Sequence, residues 1–373
     1  MAKPMRVVDS SKAPKGILPS HAIERLAEAG AIVLARPLAE GQVQPASLDL
    51  RLGARAYRVR ASFLPGARAS VQAKLERLAL HEIDLSQGAV LETGCVYIVP
   101  LLESLDLPAG LAAACNPKSS TGRLDIFTRV IADHAHEFDN IDAGYRGPLY
   151  IEISPRTFPI LVREGSRLSQ IRFRRGHAPC SDEALRALHA REGLVSTREA
   201  NIDGGLALSV DLAGNSDSGL IGYRAKRHTA LIDVDRPGAY AVGDFWDPIE
   251  ADRDRSLILD PDQFYILASK EAVHVPPGFA AEMIPFNPLV GEFRVHYAGF
   301  FDPGFGHSAS GGSGSRAVLE VRSHEVPFIL EDGQIIGRLV YEPLTETPGR
   351  IYGSGIGSNY QRQGLKLSKH FRQ

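Results

Sequence analysis

Five residues, Pro108, Gly110, Ala112, Ala113 and Pro117, recur as Pro276, Gly278, Ala280, Ala281 and Pro285, each displaced by 168 positions. The same displacement carries Glu152 onto Glu320 and Gly165 onto Gly333. With small local gaps, Asp49-Leu50 finds an echo in Asp211-Leu212, and Asp142-Ala143-Gly144 in Asp302-Pro303-Gly304. Self-similarity at a fixed displacement marks a chain built from copies of one unit. The repeated residues are largely Gly and Pro, so what recurs is a pattern of turns. With 36 Gly and 24 Pro in 373 residues, turns come often enough to separate many short strands. Two tandem copies of one β unit, each with ample core, are therefore expected. The polar stretch 182–199, with Glu183, Leu185, Leu188 and Leu194 at helical spacing, predicts a short helix bridging the copies. Gly306 to Ser315 reads as a long hairpin loop within the second copy.

The stretch Asn116-Pro117-Lys118-Ser119-Ser120-Thr121-Gly122-Arg123 gathers two cations, three hydroxyls and a glycine into eight residues. Lys and Arg form charge-assisted hydrogen bonds to phosphate oxygens, and hydroxyls add neutral donors. Glycine lets a backbone approach a ligand where a Cβ would collide. The cluster suits a polyphosphate held on a short turn, though its spacing is not that of a Walker loop. By composition alone it also suits a solvated surface turn. Downstream, the turn from Ile141 to Pro148 leads into Leu149-Tyr150-Ile151-Glu152-Ile153, apolar apart from one carboxylate. Burial there would raise the pKa of Glu152 toward a general base's range. An outward-facing strand residue is the other reading, since alternation sends every second side chain to solvent.

The copies have diverged unequally. Where the first carries Lys118 to Arg123, the second has Phe286-Asn287-Pro288-Leu289-Val290-Gly291, without cations or hydroxyls. The second copy therefore cannot hold phosphate there. Its turn Phe301-Asp302-Pro303-Gly304-Phe305 and the run Ala317-Val318-Leu319-Glu320-Val321 survive. A net charge of −2, with basic residues spread along the chain, argues against a nucleic-acid partner. No run of 18 apolar residues suggests a membrane span. The N-terminus has no apolar signal core, so a cytoplasmic location is expected. Cys95, Cys115 and Cys180 are odd in number and scattered, which reads as reduced thiols. The His-x-Glu and Pro-Cys-x-x-Cys pair of zinc nucleobase deaminases does not occur. Asp133, His134, His136, Glu137 and Asp139 read as a polar loop rather than a metal site. Trp246 and its aromatic neighbours read as core or interface.

Taken in order, these segments resemble the dCTP deaminase branch of the trimeric dUTPase superfamily, in a double-length form. Gln44 to Gly53 resembles the family's first motif, Lys118 to Arg123 its phosphate motif, and Ile141 to Glu152 its third. The tail Tyr352 to Gln363 resembles the closing C-terminal segment. The second copy's third motif is nearer the deaminase pattern, and the first copy's nearer the dUTPase version. The resemblance implies an all-β fold of two tandem dUTPase-like distorted β-barrels or jelly rolls, with few short helices. It divides the chain into residues 1–190, 191–345 and a nucleotide-covering tail, 346–373. Family sites combine motif two of one unit with motif three of another, which implies a homotrimer of six units. It also makes plausible a composite site with its phosphate side from the first copy and its carboxylate from the second.

The implied chemistry is zinc-independent hydrolysis of dCTP to dUTP and ammonia, feeding dUMP and dTTP synthesis. Glu320 or Glu152 would be the general base and acid, with Ser119 placing the water. Lys118, Ser120 and Arg123 would hold the triphosphate with its Mg²⁺, and Asp142 and Asp302 would serve the two third-motif turns. Tyr352, Asn359, Tyr360 and Gln363 would form the lid. The family usually has Lys where Asn359 stands, and Lys366 or Arg362 are candidates to replace it. The nearer alternative is a dUTP diphosphatase or a bifunctional enzyme, with Asp142 activating water. The more distant is a non-catalytic nucleotide-binding scaffold.

Overall fold

The computed structural model describes residues 14–373 except 198, 215–218, 286–292, 297–298, 309–313, 324, 354–363 and 373. Two sets of β-sheets follow one another, and they are built alike. In the first repeat, strands Arg167–Arg175 and Leu111–Pro117 form the centre of one sheet. Strands Ala79–Asp84, Arg55–Val59, Val96–Asp106, Arg146–Pro155 and Ile126–Ala132 form the other. In the second, Ile335–Pro343 and Phe279–Pro285 match the first pair. Trp246–Glu250, Leu220–Ala225, Phe264–Val273, Ser315–Ser323 and Phe293–His296 match these five strands, to which the first repeat adds a sixth, Ile32–Leu34. Short helices such as Ser20–Glu28 and Val71–Leu78 lie between strands.

The spacing of 168 is carried by the ladders themselves. Phe173 faces Ala113 as Tyr341 faces Ala281, and Glu152 faces Ile98 as Glu320 faces Ile266. Register also tests the two gapped echoes. Asn140 pairs with Ala114 and Phe300 with Glu282, so Asp142 and Asp302 are true counterparts. The other echo fails. Asp49 faces Gln170 while Ala207 faces Arg338, so the counterpart of Asp49 is Ala207, not Asp211. Asp211 instead donates its N–H to the Ala268 carbonyl, as Gly53 does to that of Pro100. The likeness of Asp211-Leu212 to Asp49-Leu50 was local, and pairing registers decide equivalence.

Helix Asp182–Glu192 forms as its spacing predicts, capped by Ser181, whose hydroxyl accepts the Ala184 N–H, and ended by Gly193 at φ +66°. Leu185, Leu188 and Leu194 pack into the second repeat's core with Leu208, Leu267 and Tyr341. By packing, then, the helix belongs to the second repeat. Of the 306–315 loop, residues 309–313 lie outside the described residues, and Gly314 N–H bonds the Gly306 carbonyl across its base. Among the described residues no helix is long and apolar enough to cross a membrane.

The repeats are joined by a shared core. Leu124, Ile126, Ile151, Ile153 and Phe158 of the first pack with Trp246, Phe264, Ile266 and Val318 of the second. Trp246 meets Phe158 edge-on, with centroids 5.5 Å apart. Strand Ile232–Asp233 adds in parallel to Ile160–Val162. Within strand Ser315–Ser323, Ala317, Leu319 and Val321 point into the second repeat's own core. Alternation therefore turns Val318, Glu320 and Arg322 toward the first repeat. There Arg322 forms a buried ion pair with Asp125, and its guanidinium also donates to Thr157 Oγ1 at 3.1 Å.

Removing one partner of a buried pair leaves the other charge desolvated, at a cost of about 3–5 kcal/mol. Arg322→Ala should therefore lower unfolding stability by about that amount in denaturant titrations. A change under about 1 kcal/mol, the range of surface pairs, would show the contact to be dispensable.

Candidate active site

The short helix Ser119–Gly122 follows strand Leu111–Pro117, with Lys118 as its N-cap residue. Thr121 and Gly122 both bond the Lys118 carbonyl, and Arg123 bonds that of Ser119. This turn projects Lys118, Ser119, Ser120 and Arg123 onto one cavity of about 650 Å³. Lys118 Nζ forms an ion pair with Asp49, whose carboxylate also lies 3.7 Å from Arg167 Nη1. Asp49 is buried, so it fixes a lysine that would otherwise sample many rotamers. Ser119 is exposed to the cavity, whereas Ser120 and Arg123 are buried. Arg123 Nη1 donates to the Lys366 carbonyl at 2.7 Å.

The opposite wall comes from the second repeat: Met283, Phe300, Phe301, Asp302, Phe305, Val318 and Glu320. Glu320 lies against the turn of Ser119 to Gly122. A Cβ built on Gly122 would stand 2.4 Å from Glu320 Oε2, so only glycine admits this carboxylate. Burial pushes the Glu320 carboxyl well above the ordinary carboxylate range; Arg123 draws it back and Asp125 adds to the rise. Asp302 is also raised by burial, opposed by Arg172. Arg172 reaches across from the first repeat, with Nη2 3.3 Å from Asp302 Oδ1 and Nη1 donating to the Ala281 carbonyl at 3.0 Å. Tyr352 N–H donates to the Pro303 carbonyl at 2.7 Å, and its ring packs 5.6 Å from that of Phe305. The tail thus begins at the cavity.

Other expected residues lie elsewhere. Glu152 is buried and does not line the cavity. It pairs across the ladder with Arg129, whose Nη2 lies 2.6 Å from its Oε1. The residue opposite Glu320 in the ladder is His296, not an arginine. Tyr150, on the same face as Glu152, packs with Val71 and Leu75 of helix Val71–Leu78. That helix fills the place which, in the second repeat, faces its neighbour. Asp142 is exposed and likewise does not line the cavity. Asn359, Tyr360 and Gln363, the candidate Arg362, and the second copy's 286–291 all lie outside the described residues.

Reading the motifs missed several residues. Arg167, Gln170, Asp235 and Lys369 all line the cavity, and Asp235 accepts from Ser166 Oγ at 2.6 Å. Arg167 and Gln170, a cation and a neutral amide, stand in one strand, but nothing tied them to Lys118 without the pairing that sets Gln170 opposite Asn116. In the loop from Asp133 to Asp139, Asp133 accepts the Val71 N–H and Asp139 that of Val130. Among the described residues, no three His, Cys, Asp or Glu side chains are grouped to hold a metal ion.

Residues 14–177 match the family described as 2'-deoxycytidine 5'-triphosphate deaminase (DCD) N-terminal domain, and residues 181–371 match its C-terminal domain. The chain belongs to the dCTP deaminase family. The dCTP deaminase of Shewanella amazonensis is 30% identical over 168 residues, spanning 43% of this chain and 83% of that protein. The "dCTP deaminase, dUMP-forming" of Coprothermobacter proteolyticus is 30% identical over 163 residues, 42% of this chain and 81% of its own length. Both match under half of this dCTP deaminase family member, as single-repeat relatives would. A solved structure, the 2'-deoxycytidine 5'-triphosphate deaminase of Agrobacterium tumefaciens, is 66% identical. It covers 89% of this chain and 99% of that one, with a TM-score of 0.86. The double-length, dUTPase-like β fold is thereby shown.

Gly122→Ala should leave the fold intact but displace the Glu320 carboxylate. Turnover should fall by at least about 100-fold, the scale set by a 1 Å misplacement, with little change in melting temperature. Wild-type turnover in Gly122→Ala would show that this close approach is not needed.

Proposed function

We propose that the protein deaminates dCTP to dUTP at a composite site within one chain, the first repeat holding the triphosphate and the second supplying the base. The observation that carries this is the packing of Glu320 against Gly122. It places a buried carboxylate of raised pKa beside the turn bearing Lys118, Ser119 and Arg123. A base with a raised pKa both takes and returns protons readily near neutral pH. In this reading Glu320 takes a proton from water, and the resulting hydroxide adds to C4 of cytosine. Glu320 returns that proton to N3, then takes the proton of the new C4 hydroxyl and passes it to the amine, which departs as ammonia as the C4 carbonyl forms. Ser119, exposed in the cavity, would hold the water, and Lys118, Ser120 and Arg123 the phosphates. Tyr352 would form the first part of the lid, with Asn359, Tyr360 and Gln363 continuing it.

The reaction as written needs no zinc. Mg²⁺ would arrive on the triphosphate, as it prefers phosphates and water to an all-protein cage. Asp49 and Asp235, the carboxylates at that end, are engaged by Lys118 and Ser166, which fits an ion carried by its nucleotide. Asp302, held by Arg172, would fix the turn bearing Phe300 and Phe301. The product would enter dUMP and dTTP synthesis. A homotrimer of six repeats is also proposed from the resemblance.

One observation favours a second reading: a relative is named dUMP-forming. Cleavage of dUTP would need an acid near the α-phosphate, and Asp142 is exposed away from the cavity. Deamination without cleavage is thus the better-supported reading. Incubation with dCTP should release ammonia and leave dUTP; pyrophosphate would establish the bifunctional alternative, and no turnover of dCTP or dUTP the scaffold.

Glu320→Gln should abolish ammonia release while dCTP still binds, since the amide keeps the shape but cannot accept water's proton. Glu152→Gln should cost stability rather than rate. A dead Glu152→Gln beside an active Glu320→Gln would reverse the assignment. Because the folded-state pKa of Glu320 is raised, ionising it opposes folding: its contribution is fully present at acid pH and lost as pH rises through the folded pKa. kcat should rise with pH through that same raised value. Glu320→Gln should gain stability relative to wild type over the same interval, measured as the difference in melting temperature across a pH series.

A further inference from the structure

The tail does not end at the lid. Residues 364–372 return along the first repeat's phosphate turn, and nearly every one of the last few is anchored. Arg123 donates to the Lys366 carbonyl at 2.7 Å, and Ser368 Oγ to that of Ser120 at 2.8 Å. His370 is buried, with Nδ1 2.9 Å from Ser368 Oγ and Nε2 2.8 Å from the Val234 carbonyl. Gly238 N–H donates to the Lys369 carbonyl at 2.9 Å. Phe371 pairs in parallel with Tyr240, and its ring meets Trp246 edge-on at 6.0 Å. Backbone bonds on both sides of Lys369 thus fix its direction, and its side chain lines the cavity.

We propose that Lys369 is a triphosphate-binding residue, supplying a cation from the segment that returns along the turn of Lys118 to Arg123. This rests on the reading of the cavity as a nucleotide site. Lys369 stands at the phosphate end, within electrostatic reach of Lys118 and Arg167 and of the carboxylates Asp49 and Asp235. Asp49 also pairs with Lys118 and Arg167, and Asp235 accepts from Ser166 and lies 3.4 Å from Arg163. Burial, and then the charge of Lys118, lower the Lys369 pKa. Lys118, Arg123, Arg167 and Lys369 line one cavity, so an entering polyanion meets several charge-assisted donors, and a nucleoside offers no such charge. Lys366, the nearer candidate by sequence, instead presents its backbone carbonyl to Arg123.

The test compares equilibrium binding of dCTP and deoxycytidine to full-length wild type, Lys369→Met and Lys369→Arg. Loss of one charge-assisted contact should weaken dCTP binding by about 10- to 100-fold in Lys369→Met. Deoxycytidine affinity should be unchanged, and Lys369→Arg should recover most of the loss. Equal dCTP affinity in Lys369→Met and wild type overturns the proposal. So does an equal loss for deoxycytidine, which would mean that the strand merely braces the cavity. Lys369→Gln, polar and of similar length, repeats the comparison if Lys369→Met does not fold. Failure of the wild type to bind dCTP would instead overturn the nucleotide-site reading beneath the proposal.

Discussion

Arg322 and Asp125 form an ion pair between the two repeats, and both are buried. Each is two residues from a group that matters at the cavity: Arg322 from Glu320 on one strand, Asp125 from Arg123 on the turn opposite. A buried pair of this kind contributes less to stability than to position, because its desolvation offsets most of its attraction. What it specifies is register between the repeats. With Thr157 bonded to both partners and Asp125 held at φ +55°, the contact has little freedom to slide. The apolar core of Phe158, Trp246, Phe264 and Val318 supplies the adhesion around it. Glu320 can then approach Gly122 closely enough to be stripped of water.

The same strand in the first repeat shows what happens without such a neighbour. Glu152 occupies the matching ladder position, yet Arg129 lies directly across and neutralises it. Helix Val71–Leu78 packs over that face. Between the corresponding strands of the second repeat, the chain instead runs to the first repeat and pairs with Ile160–Val162. Duplication followed by unequal divergence has left the turn bearing Lys118 and Arg123 in one repeat and Glu320 in the other, both on the same cavity.

Much of this was legible in the chain. The displacement of 168 survives residue for residue in two ladders, since strands that pair cannot gain or lose a residue without a bulge. The turn at Lys118 and its poverty of apolar residues marked one wall of the cavity. Asp302-Pro303-Gly304 marked the other, and Leu185 and Leu188 marked a helix. Elsewhere local likeness misled: Asp211-Leu212 copies Asp49-Leu50 in letters but not in register. Arg167, Asp235 and Lys369 were invisible as site residues because each is ordinary in its local sequence and reaches the cavity only through long-range pairing.

The sequence by itself determined the duplication, the β architecture and the chemistry available: cations and hydroxyls in one copy, a carboxylate among apolar residues in both. These follow from local rules of turn, alternation and charge. Which carboxylate stands in the cavity was decided only by tertiary structure. Glu152 and Glu320 have nearly the same strand neighbours, and what separates them is what covers their faces. One meets an arginine and a helix of its own repeat; the other meets a glycine of its neighbour, where burial, opposed by Arg123, raises its affinity for a proton. Desolvation is a property of the assembled interface, and no single segment of chain encodes it.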